Sequence, residues 1–257
     1  MKLYLVNFAN QTFRKAQKFN TRMALKIGGF DNVFEYGPQL IDRTFFEENK
    51  AILNSPRGGG YWLWKPYIIR DALRKINDGD ILIYADSGSH FIRNAIELGT
   101  LPDKFNQDVI LFEMELPESS WTKRDAFVLM GCDDFGFEKS NQRLGSFMVI
   151  KKSPMSLKFV DEYLAYCCDE RIITDIPNTC GLSNYPDFKE HRHDQSVFSL
   201  LSKKYGLTTF RDPSQWGNSR IAEYKNSPYP QLIEHTRHKI PKHAKLKYRI
   251  KRFLFGK

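Results

Sequence analysis

The first candidate for chemistry is an acidic residue that directly follows an apolar run. Residues 80–85 predict a strand buried on both faces, and Asp86, Ser87 and Gly88 come immediately after it. In open α/β sheets, ligands bind at the carboxyl ends of the strands. A carboxylate in that position, followed by glycine, can hold a divalent cation against a diphosphate. We therefore predict that these three residues contact a diphosphate; the alternative is that Asp86 only caps the next turn.

A glycine-rich segment at residues 57–67 supplies cations. Its three consecutive glycines allow the backbone to approach a ligand closely. Arg57 and Lys65, which flank these glycines, are predicted to neutralise phosphate charge. The segment is not a Walker loop, because the Gly-Lys-[Ser/Thr] ending is missing. Trp62 and Trp64 offer ring faces, and we interpret both as core residues that precede a helix.

Two later segments carry further candidates. Lys123 and Arg124 open a predicted helix, where outward-pointing backbone N–H groups also favour an anion; a solvated pair is the alternative. His191 and His193 share a His-x-His spacing with metal-dependent hydrolases. That pattern is not completed, because Asp194 comes too early and no histidine follows it. A metal-dependent hydrolase is therefore the weaker alternative for this segment.

The elements that must position these residues alternate between strands and helices. Strands are predicted at residues 2–8, 32–36, 80–85, 109–113 and 146–151. Helices are predicted at residues 11–27, 42–53, 66–76, 122–130, 153–170 and 194–205. This alternation predicts one α/β domain with a mixed, mainly parallel sheet and helices on both faces. Residues 173–190 are expected to form a long loop near the site.

Four ordered motifs carry a resemblance to a known family. Residues 81–88, ILIYADSG, resemble the strand and metal-binding turn of GT-A glycosyltransferases, whose motif is Asp-x-Asp. Residues 57–67, 121–125 and 191–196 are similar to segments of a bacterial and viral group of polysaccharide glycosyltransferases. The resemblance covers residues 1–240 and implies a Rossmann-like GT-A domain with those bounds. It also implies sugar transfer from a nucleoside-diphosphate sugar to a glycan or lipid-linked saccharide acceptor, in the synthesis of capsule, O-antigen or lipooligosaccharide. A catalytically silent relative that binds nucleotide or glycan is the alternative.

Sugar transfer needs a polar group near the anomeric carbon, and Asp194 is the candidate. An inverting enzyme uses a carboxylate as general base for the acceptor hydroxyl, whereas a retaining enzyme places a polar group or carboxylate beneath the sugar. The predicted catalytic residues are Asp194, His193 and Lys123. Because Asp194 opens a predicted helix, it could instead serve only as the N-cap.

The resemblance also implies the rest of the donor site. GT-A enzymes often place a late histidine on the metal and a nearby cation on the diphosphate, and the segment around His235 resembles that element; the alternative is that His235 is an ordinary edge-strand residue. A divalent cation, Mn²⁺ or Mg²⁺, bound by Asp86 and His235 is therefore expected. Gly88 stands where the motif has its second Asp. Asp86 could then bind metal with help from elsewhere, hold the ribose or a water, or act without metal. The predicted donor-binding residues are Asn7, Arg57, Lys65, Tyr84, Asp86, Ser87, Gly88, Arg237 and Lys239.

The net charge of +9 is concentrated at the end of the chain. Residues 237–257 contain nine Lys or Arg and no acidic residue; removing these nine from the 39 basic residues leaves 30, equal to the 30 acidic residues. A neutral body argues against a nucleic-acid partner. Residues 241–257 predict a basic amphipathic tail, helical or extended, that binds an anionic membrane surface. A nucleic-acid contact and a merely solvated tail are the rival interpretations.

The apolar runs, the first residues and the cysteines indicate where in the cell the protein is located. No apolar run approaches the roughly 20 residues that span a bilayer, and the first residues lack the pattern of a signal peptide. The four cysteines show no metal-ligand spacing and are interpreted as reduced thiols. These observations predict a cytoplasmic protein, peripheral on the inner face of the membrane.

Overall fold

The computed structural model describes residues 1–236, and at its centre lies a seven-stranded mixed sheet. Within these residues the strands are β1 (Leu3–Phe8), β2 (Asn32–Tyr36), β3 (Ile81–Ala85), β4 (Ser89–Phe91), β5 (Val109–Pro117), β6 (Asn141–Arg143), β7 (Phe147–Lys151), β8 (Thr209–Phe210) and β9 (Ile233–His235). The predicted tail at residues 241–257, with Arg237 and Lys239, lies outside the described residues.

The order of the sheet is β2-β1-β3-β7-β5-β6, with β8 paired to β5. Strand β1 pairs in parallel with β2 and β3, and β5 pairs in parallel with β8. Strand β7 is antiparallel to β3 and β5, and β6 is antiparallel to β5. Strands β1, β2, β3, β5 and β8 therefore point the same way, and their carboxyl ends meet at one edge. The predicted mixed, mainly parallel sheet is confirmed.

Helices connect these strands. Among residues 1–236 they are α1 (Arg14–Met23), α2 (Arg43–Glu48), α3 (Lys50–Leu53), α4 (Gly58–Tyr61), α5 (Trp64–Arg74), α6 (Ile96–Gly99), α7 (Leu101–Phe105), α8 (Glu118–Trp121), α9 (Arg124–Leu129), α10 (Phe135–Glu138), α11 (Pro154–Cys167), α12 (Glu170–Ile173) and α13 (Asp194–Lys204). Shorter 3₁₀ segments lie at Gln11–Phe13, Pro38–Leu40 and Gln215–Arg220, and a π-helical turn lies at Ala24–Gly28. None of these helices is long and apolar enough to cross a membrane.

Both faces of the sheet are covered, as predicted. Successive residues of a strand point to opposite faces. Leu82 and Tyr84 of β3 pack in a core with α5, α11 and α13, whereas Ile81, Ile83 and Ala85 pack in a second core with α6, α7 and β9. Helices α5 and α13 share the first core, and Lys65 and Asp194 at their amino termini are in contact beside the carboxyl end of β3.

Strands β4 and β9 form a separate antiparallel ladder that the sequence did not predict. Its register pairs Ser89 with His235 and Phe91 with Ile233. Strand β4 begins three residues after Asp86, so this ladder returns the last described part of the chain to the end of β3. The turn after β3 is therefore bordered by residues from both ends of the sequence.

Candidate functional site

A buried ion pair joins the amino termini of α5 and α13. Lys65 Nζ lies 2.5 Å from Asp194 Oδ2, and each side chain is only 4% exposed. The ammonium also donates to the carbonyl of Gly145 at 3.0 Å, in the turn between β6 and β7. Tyr163 in α11 donates its hydroxyl to Asp194 Oδ2 at 3.2 Å. One pair of charges thus connects two helices with the edge of the sheet.

The charges around this pair set its protonation. Burial lowers the pKa of Lys65, but attraction to Asp194 and Asp86 outweighs burial and raises it overall, so the ammonium stays protonated. Burial raises the pKa of the Asp194 carboxyl, and the like charge of Asp86 adds to this effect against the pull of Lys65. Two carboxylates therefore lie near one ammonium, so the group has a net negative charge, and a further cation would stabilise it.

Asp86 occupies the predicted position at the carboxyl end of β3. It accepts a hydrogen bond at 2.5 Å from the hydroxyl of Tyr84, whose ring lies 5.2 Å below the ammonium of Lys65. Tyr84 is buried, while Asp86 is partly exposed. The structure therefore brings four predicted site residues together, namely Lys65, Tyr84, Asp86 and Asp194, and Asp86 is the member that a ligand in solvent can reach.

The turn after Asp86 is tied down on two sides. Ser87 donates its hydroxyl to the carbonyl of Phe8 at 2.7 Å, at the end of β1. The carbonyl of Gly88 accepts from the backbone N–H of Thr236 at 2.9 Å and from its hydroxyl at 2.7 Å. A Cβ added at Gly88 would meet no atom within 4 Å. The position of the missing second Asp therefore has open space in front of it.

Asn7, predicted to bind the donor, is placed differently. Its side chain is fully buried, donates to Asn20 Oδ1 at 2.8 Å and accepts from Gln17 at 2.9 Å. Asn20 in turn donates to the carbonyl of Ser89 at 2.8 Å. Both polar groups of the Asn7 side chain are thus bonded inside the protein, and neither faces a ligand. Through Asn20 of α1, Asn7 helps to hold the turn after Asp86 in place.

The three glycines build a turn that a chain of ordinary residues would not adopt. Every residue from 58 to 62 has a positive φ, including Tyr61 at 51° and Trp62 at 61°. A Cβ at Gly60 would lie 2.7 Å from the Cα of Leu53, so only glycine fits there. Trp64 closes the turn by donating its indole N–H to the carbonyl of Gly58 at 2.9 Å. The turn leads directly into α5 and therefore fixes the position of the Lys65 backbone.

His193 and Arg57 form a second link at the same edge. Arg57 Nε donates to His193 Nε2 at 2.7 Å, and His193 Nδ1 lies 2.9 Å from the carbonyl of Ile173. Only a neutral ring with its proton on Nδ1 satisfies both contacts. Burial is the largest influence on His193 and lowers its pKa. Both ring nitrogens are engaged, which argues against the predicted proton-transfer role and favours a role in holding Arg57.

The amino terminus of α13 also differs from the simplest interpretation. His193 occupies the N-cap position with φ 54° and ψ −121°, and its side chain makes no capping hydrogen bond. Asp194 is the first residue of the helix, and its carboxylate turns inward to Lys65. An N-cap role for Asp194 is therefore wrong.

Lys123 lines a polar cavity of 320 Å³ together with Arg57, Asn184 and loop residues 175–178 and 188–191. Its ammonium donates to the carbonyl of Ile176 at 2.8 Å and lies 3.6 Å from Asp125 Oδ2. Burial lowers its pKa. The lining of this cavity includes neither Asp86 nor the Lys65–Asp194 pair, so Lys123 lies apart from Asp194, while Arg57 lines the cavity and contacts His193.

His191 is a buried residue in the wall of this cavity. Its Nδ1 accepts the backbone N–H of Lys123 at 3.2 Å, and its Nε2 lies 2.8 Å from the carbonyl of Ile172. These contacts require the neutral ring with its proton on Nε2. Burial and the neighbouring His193 hold the pKa of His191 well below its ordinary value. The residue fixes the start of α9, and both of its ring nitrogens are already engaged.

His235 lines a different cleft, of 360 Å³, at the carboxyl end of β5. Its backbone exchanges two hydrogen bonds with the side chain of Gln215, each of 2.8 Å. Burial raises the pKa of Asp212, another residue of this cleft, and the charge of His235 acts in the opposite sense. Among residues 1–236, no group of three or more His, Cys, Asp or Glu side chains could hold a metal ion. The described residues therefore do not complete a metal site without further ligands.

No protein-family model and no curated protein matches the sequence. Solved structures do share its architecture. Mouse xyloside xylosyltransferase 1 in its apo form aligns with a TM-score of 0.50 and 12% identity over 94% of this chain and 100% of that chain. The WbbM bifunctional glycosyltransferase in its apo form aligns with a TM-score of 0.52 and 9% identity over 93% of this chain and 46% of that chain, so the present chain spans about half of the WbbM chain. At such identities the likeness concerns the fold, and it confirms the predicted GT-A Rossmann-like α/β fold.

Proposed function

We propose that the chain is a glycosyltransferase that moves a sugar from a nucleoside-diphosphate sugar to a glycan or lipid-linked saccharide acceptor. One observation supports this best: Asp86 emerges at the carboxyl end of β3 and is linked through Tyr84 to the buried Lys65–Asp194 pair. Ligands of open α/β sheets bind at this edge. The fold is shared with two solved glycosyltransferases, which makes sugar transfer the first reaction to test.

In this proposal the donor diphosphate lies over the turn after Asp86. The ammonium of Lys65 lies beneath this turn and offsets the negative charge of Asp194 and part of that of Asp86, which lowers the repulsion that the diphosphate would meet there. Tyr84 orients the Asp86 carboxylate from below. Arg57 would add charge from the glycine turn, where His193 holds its guanidinium.

Asp194 has two candidate roles that the experiment can separate. If it acts directly on the sugar or the acceptor, Asp194→Asn lowers turnover by about 10²-fold or more and leaves donor affinity unchanged. If it acts by holding Lys65, donor affinity falls together with turnover. Its burial and its 2.5 Å contact with Lys65 favour the second role.

A divalent cation, Mn²⁺ or Mg²⁺, remains the proposed cofactor. Asp86 and His235 would hold it, with the missing ligands supplied by oxygens of the donor itself, because residues 1–236 contain no complete ligand group. When bound, such an ion neutralises charge on the diphosphate. Two carboxylates around Lys65 are consistent with this need for a cation. Melting curves measured with sugar nucleotides, with and without Mn²⁺, test the point, since a ligand at 100 times its dissociation constant adds about 2.7 kcal/mol of stability.

The decisive variant is Asp86→Asn. It should abolish transfer from a panel of sugar nucleotides, measured by mass spectrometry of the products, while the melting curve stays normal. Asp78→Asn is the matched control, because Asp78 is a highly exposed carboxylate at the other end of β3. Wild-type turnover by Asp86→Asn, with an intact fold, would sink the assignment. Donor binding without any turnover in the wild type would favour the catalytically silent alternative, which the Gly88 replacement keeps open.

We further propose that the acceptor belongs to a surface polysaccharide and that the protein works at the cytoplasmic face of the membrane. The basis is the charge distribution, with nine excess cations in residues 237–257 beside a neutral body. Such a tail is attracted to anionic lipid. Lipid-linked acceptors would then be presented next to the domain.

A further inference from the structure

The cleft at the carboxyl end of β5 contains an exposed aromatic ring that the mechanism above does not use. Trp216 lines this cleft and is 65% exposed. The other three tryptophans are less exposed; Trp64, for example, is packed on Phe8 at a ring distance of 3.9 Å. Within residues 1–236 the Trp216 ring stacks on no other ring and no cation. A large apolar surface is therefore held in water beside a cleft.

The loop that carries Trp216 is rigidly constructed. Arg211 is fully buried, donates to the carbonyl of Tyr229 and also contacts the carbonyls of Asp212 and Gly217, each at 3.4 Å. A Cβ at Gly217 would lie 2.0 Å from the carbonyl oxygen of Asp212, so the turn requires glycine. Trp216 is thus presented by a fixed turn and is not a side chain on a loose loop.

Charged side chains share the cleft with the Trp216 ring. Glu113 accepts from Tyr224 at 2.7 Å and pairs with Arg143; these contacts outweigh burial and lower its pKa, so it is ionised at neutral pH. Glu115, Asp212 and Arg220 line the same cleft, and Arg220 pairs with both Glu113 and Glu115. Such paired groups offer acceptors and donors to hydroxyl groups and leave little net charge to attract a phosphate. An aromatic face flanked by such acceptors matches a saccharide, whose ring offers C–H groups on one face and hydroxyls at its edge.

The cleft adjoins the proposed donor turn on two sides. Leu144 lines it, and the next residue, Gly145, receives the hydrogen bond of Lys65. His235 also lines it and pairs with Ser89, just beyond the turn that follows Asp86. A group bound here would therefore sit next to a donor placed at that turn.

We infer that this cleft binds the acceptor saccharide, with Trp216 as the platform on which a sugar ring stacks. The inference rests on the proposed function, because only a sugar-transfer enzyme needs a second sugar at this edge of the sheet. The opposing possibility, that Trp216 stacks on the base of the nucleotide donor, is disfavoured because carboxylates already neutralise Arg220 in this cleft, and it is an outcome of the test.

The test uses the full chain and two independent readouts. Saturation-transfer difference NMR detects contact with a panel of methyl glycosides of common hexoses, deoxyhexoses, pentoses and N-acetylhexosamines. Melting curves detect binding of a panel of sugar nucleotides with Mn²⁺. Trp216→Ala should weaken glycoside binding by about tenfold, the scale of losing one stacked aromatic contact. The control is Phe135→Ala, which removes an aromatic residue that is 73% exposed and outside the cleft.

The two readouts separate the two proposals. Glycoside contact that is lost in Trp216→Ala, kept in Phe135→Ala and accompanied by an unchanged nucleotide shift supports the saccharide site. The inference is overturned if no glycoside contacts the wild type, if Trp216→Ala binds as well as the wild type, or if Trp216→Ala loses the nucleotide shift. If no nucleotide stabilises the wild type at all, the proposed function fails, whatever the glycosides show.

Discussion

Removing the cation of the Lys65–Asp194 pair should destabilise the protein more than any surface change of the same type. In Lys65→Met the Asp194 carboxylate stays 4% exposed and keeps only the hydroxyl of Tyr163 as a partner. Breaking a buried pair in this way costs about 3–5 kcal/mol. In a domain of this size, each kcal/mol lowers the melting temperature by about 2–4 °C, so a fall of about 6–20 °C is expected.

Two further variants make the expectation specific. Lys50→Met removes a cation from an exposed pair whose side chains are 64% and 56% exposed, and it should cost less than about 1 kcal/mol. The double variant Lys65→Met/Asp194→Asn removes both charges while the amide oxygen can still accept from Tyr163. Because no unpaired buried charge remains, it should recover at least half of the lost stability.

Urea unfolding at several pH values is the assay. Burial already raises the pKa of Asp194, and loss of Lys65 removes its main opposing influence. The folded state then binds the proton more tightly than the unfolded state, so the deficit of Lys65→Met should shrink as pH falls through the raised folded pKa toward the unfolded value near 4. The reasoning is refuted if Lys65→Met is as stable as Lys50→Met, or if the double variant is no more stable than the single one.

Three further outcomes are expected. Gly60→Ala should cost several kcal/mol by chemical unfolding, because its Cβ meets backbone, whereas Gly59→Ala should cost only about 1 kcal/mol, the price of a left-handed φ in open space. Equal losses would contradict this. The folded pKa of His191 lies well below its unfolded value of about 6.5, so its contribution to stability is fully present above pH 6.5 and falls progressively below it. By pH 5.0 the wild type should lose more stability than His191→Gln, by at most about 2 kcal/mol. Parallel pH profiles would count against it. Deleting residues 242–257 should release the protein from anionic vesicles at low salt in sedimentation assays; a full-length chain that ignores such vesicles, or prefers duplex DNA, would reject the membrane proposal.

Much of the fold followed from pattern alone. The apolar run before Asp86 and the alternation of strands with helices predicted the parallel strands and the edge at which Asp86 lies. Ladder β4–β9 was missed because strands of three residues are too short to show a period of two. The predicted helix at residues 42–53 divides into α2 and α3 at Asn49. Helix propensity alone does not predict such a break, because tertiary packing can override it.

The sequence identified residues of the candidate site but not the contacts that these residues make with one another. Lys65 and Asp194 were both identified, one as a phosphate ligand and the other as a catalytic carboxylate. That they neutralise each other depends on two helix termini, 129 residues apart, meeting beside Gly145. For Asn7, the sequence predicted its place at the end of β1 correctly, but it did not predict the buried hydrogen bonds to Asn20 and Gln17. Trp216 gave no signal, because an exposed tryptophan in an aperiodic loop looks the same in sequence as a buried one.

Strain and buried charge coincide at this edge, and stability alone does not explain the coincidence. Tyr61, Trp62 and His193 all have positive φ, at about 1–3 kcal/mol each. The His193 ring lies 4.9 Å from that of Tyr61 and stacks at 5.6 Å on that of Trp62, so the two strained segments brace each other. One segment leads into Lys65 and the other directly precedes Asp194. A buried ion pair adds little net stability over apolar side chains. Strained backbone in two distant segments therefore flanks one buried ion pair beside Asp86, and this arrangement fits the proposed role of that edge, where polar groups must be held in one position.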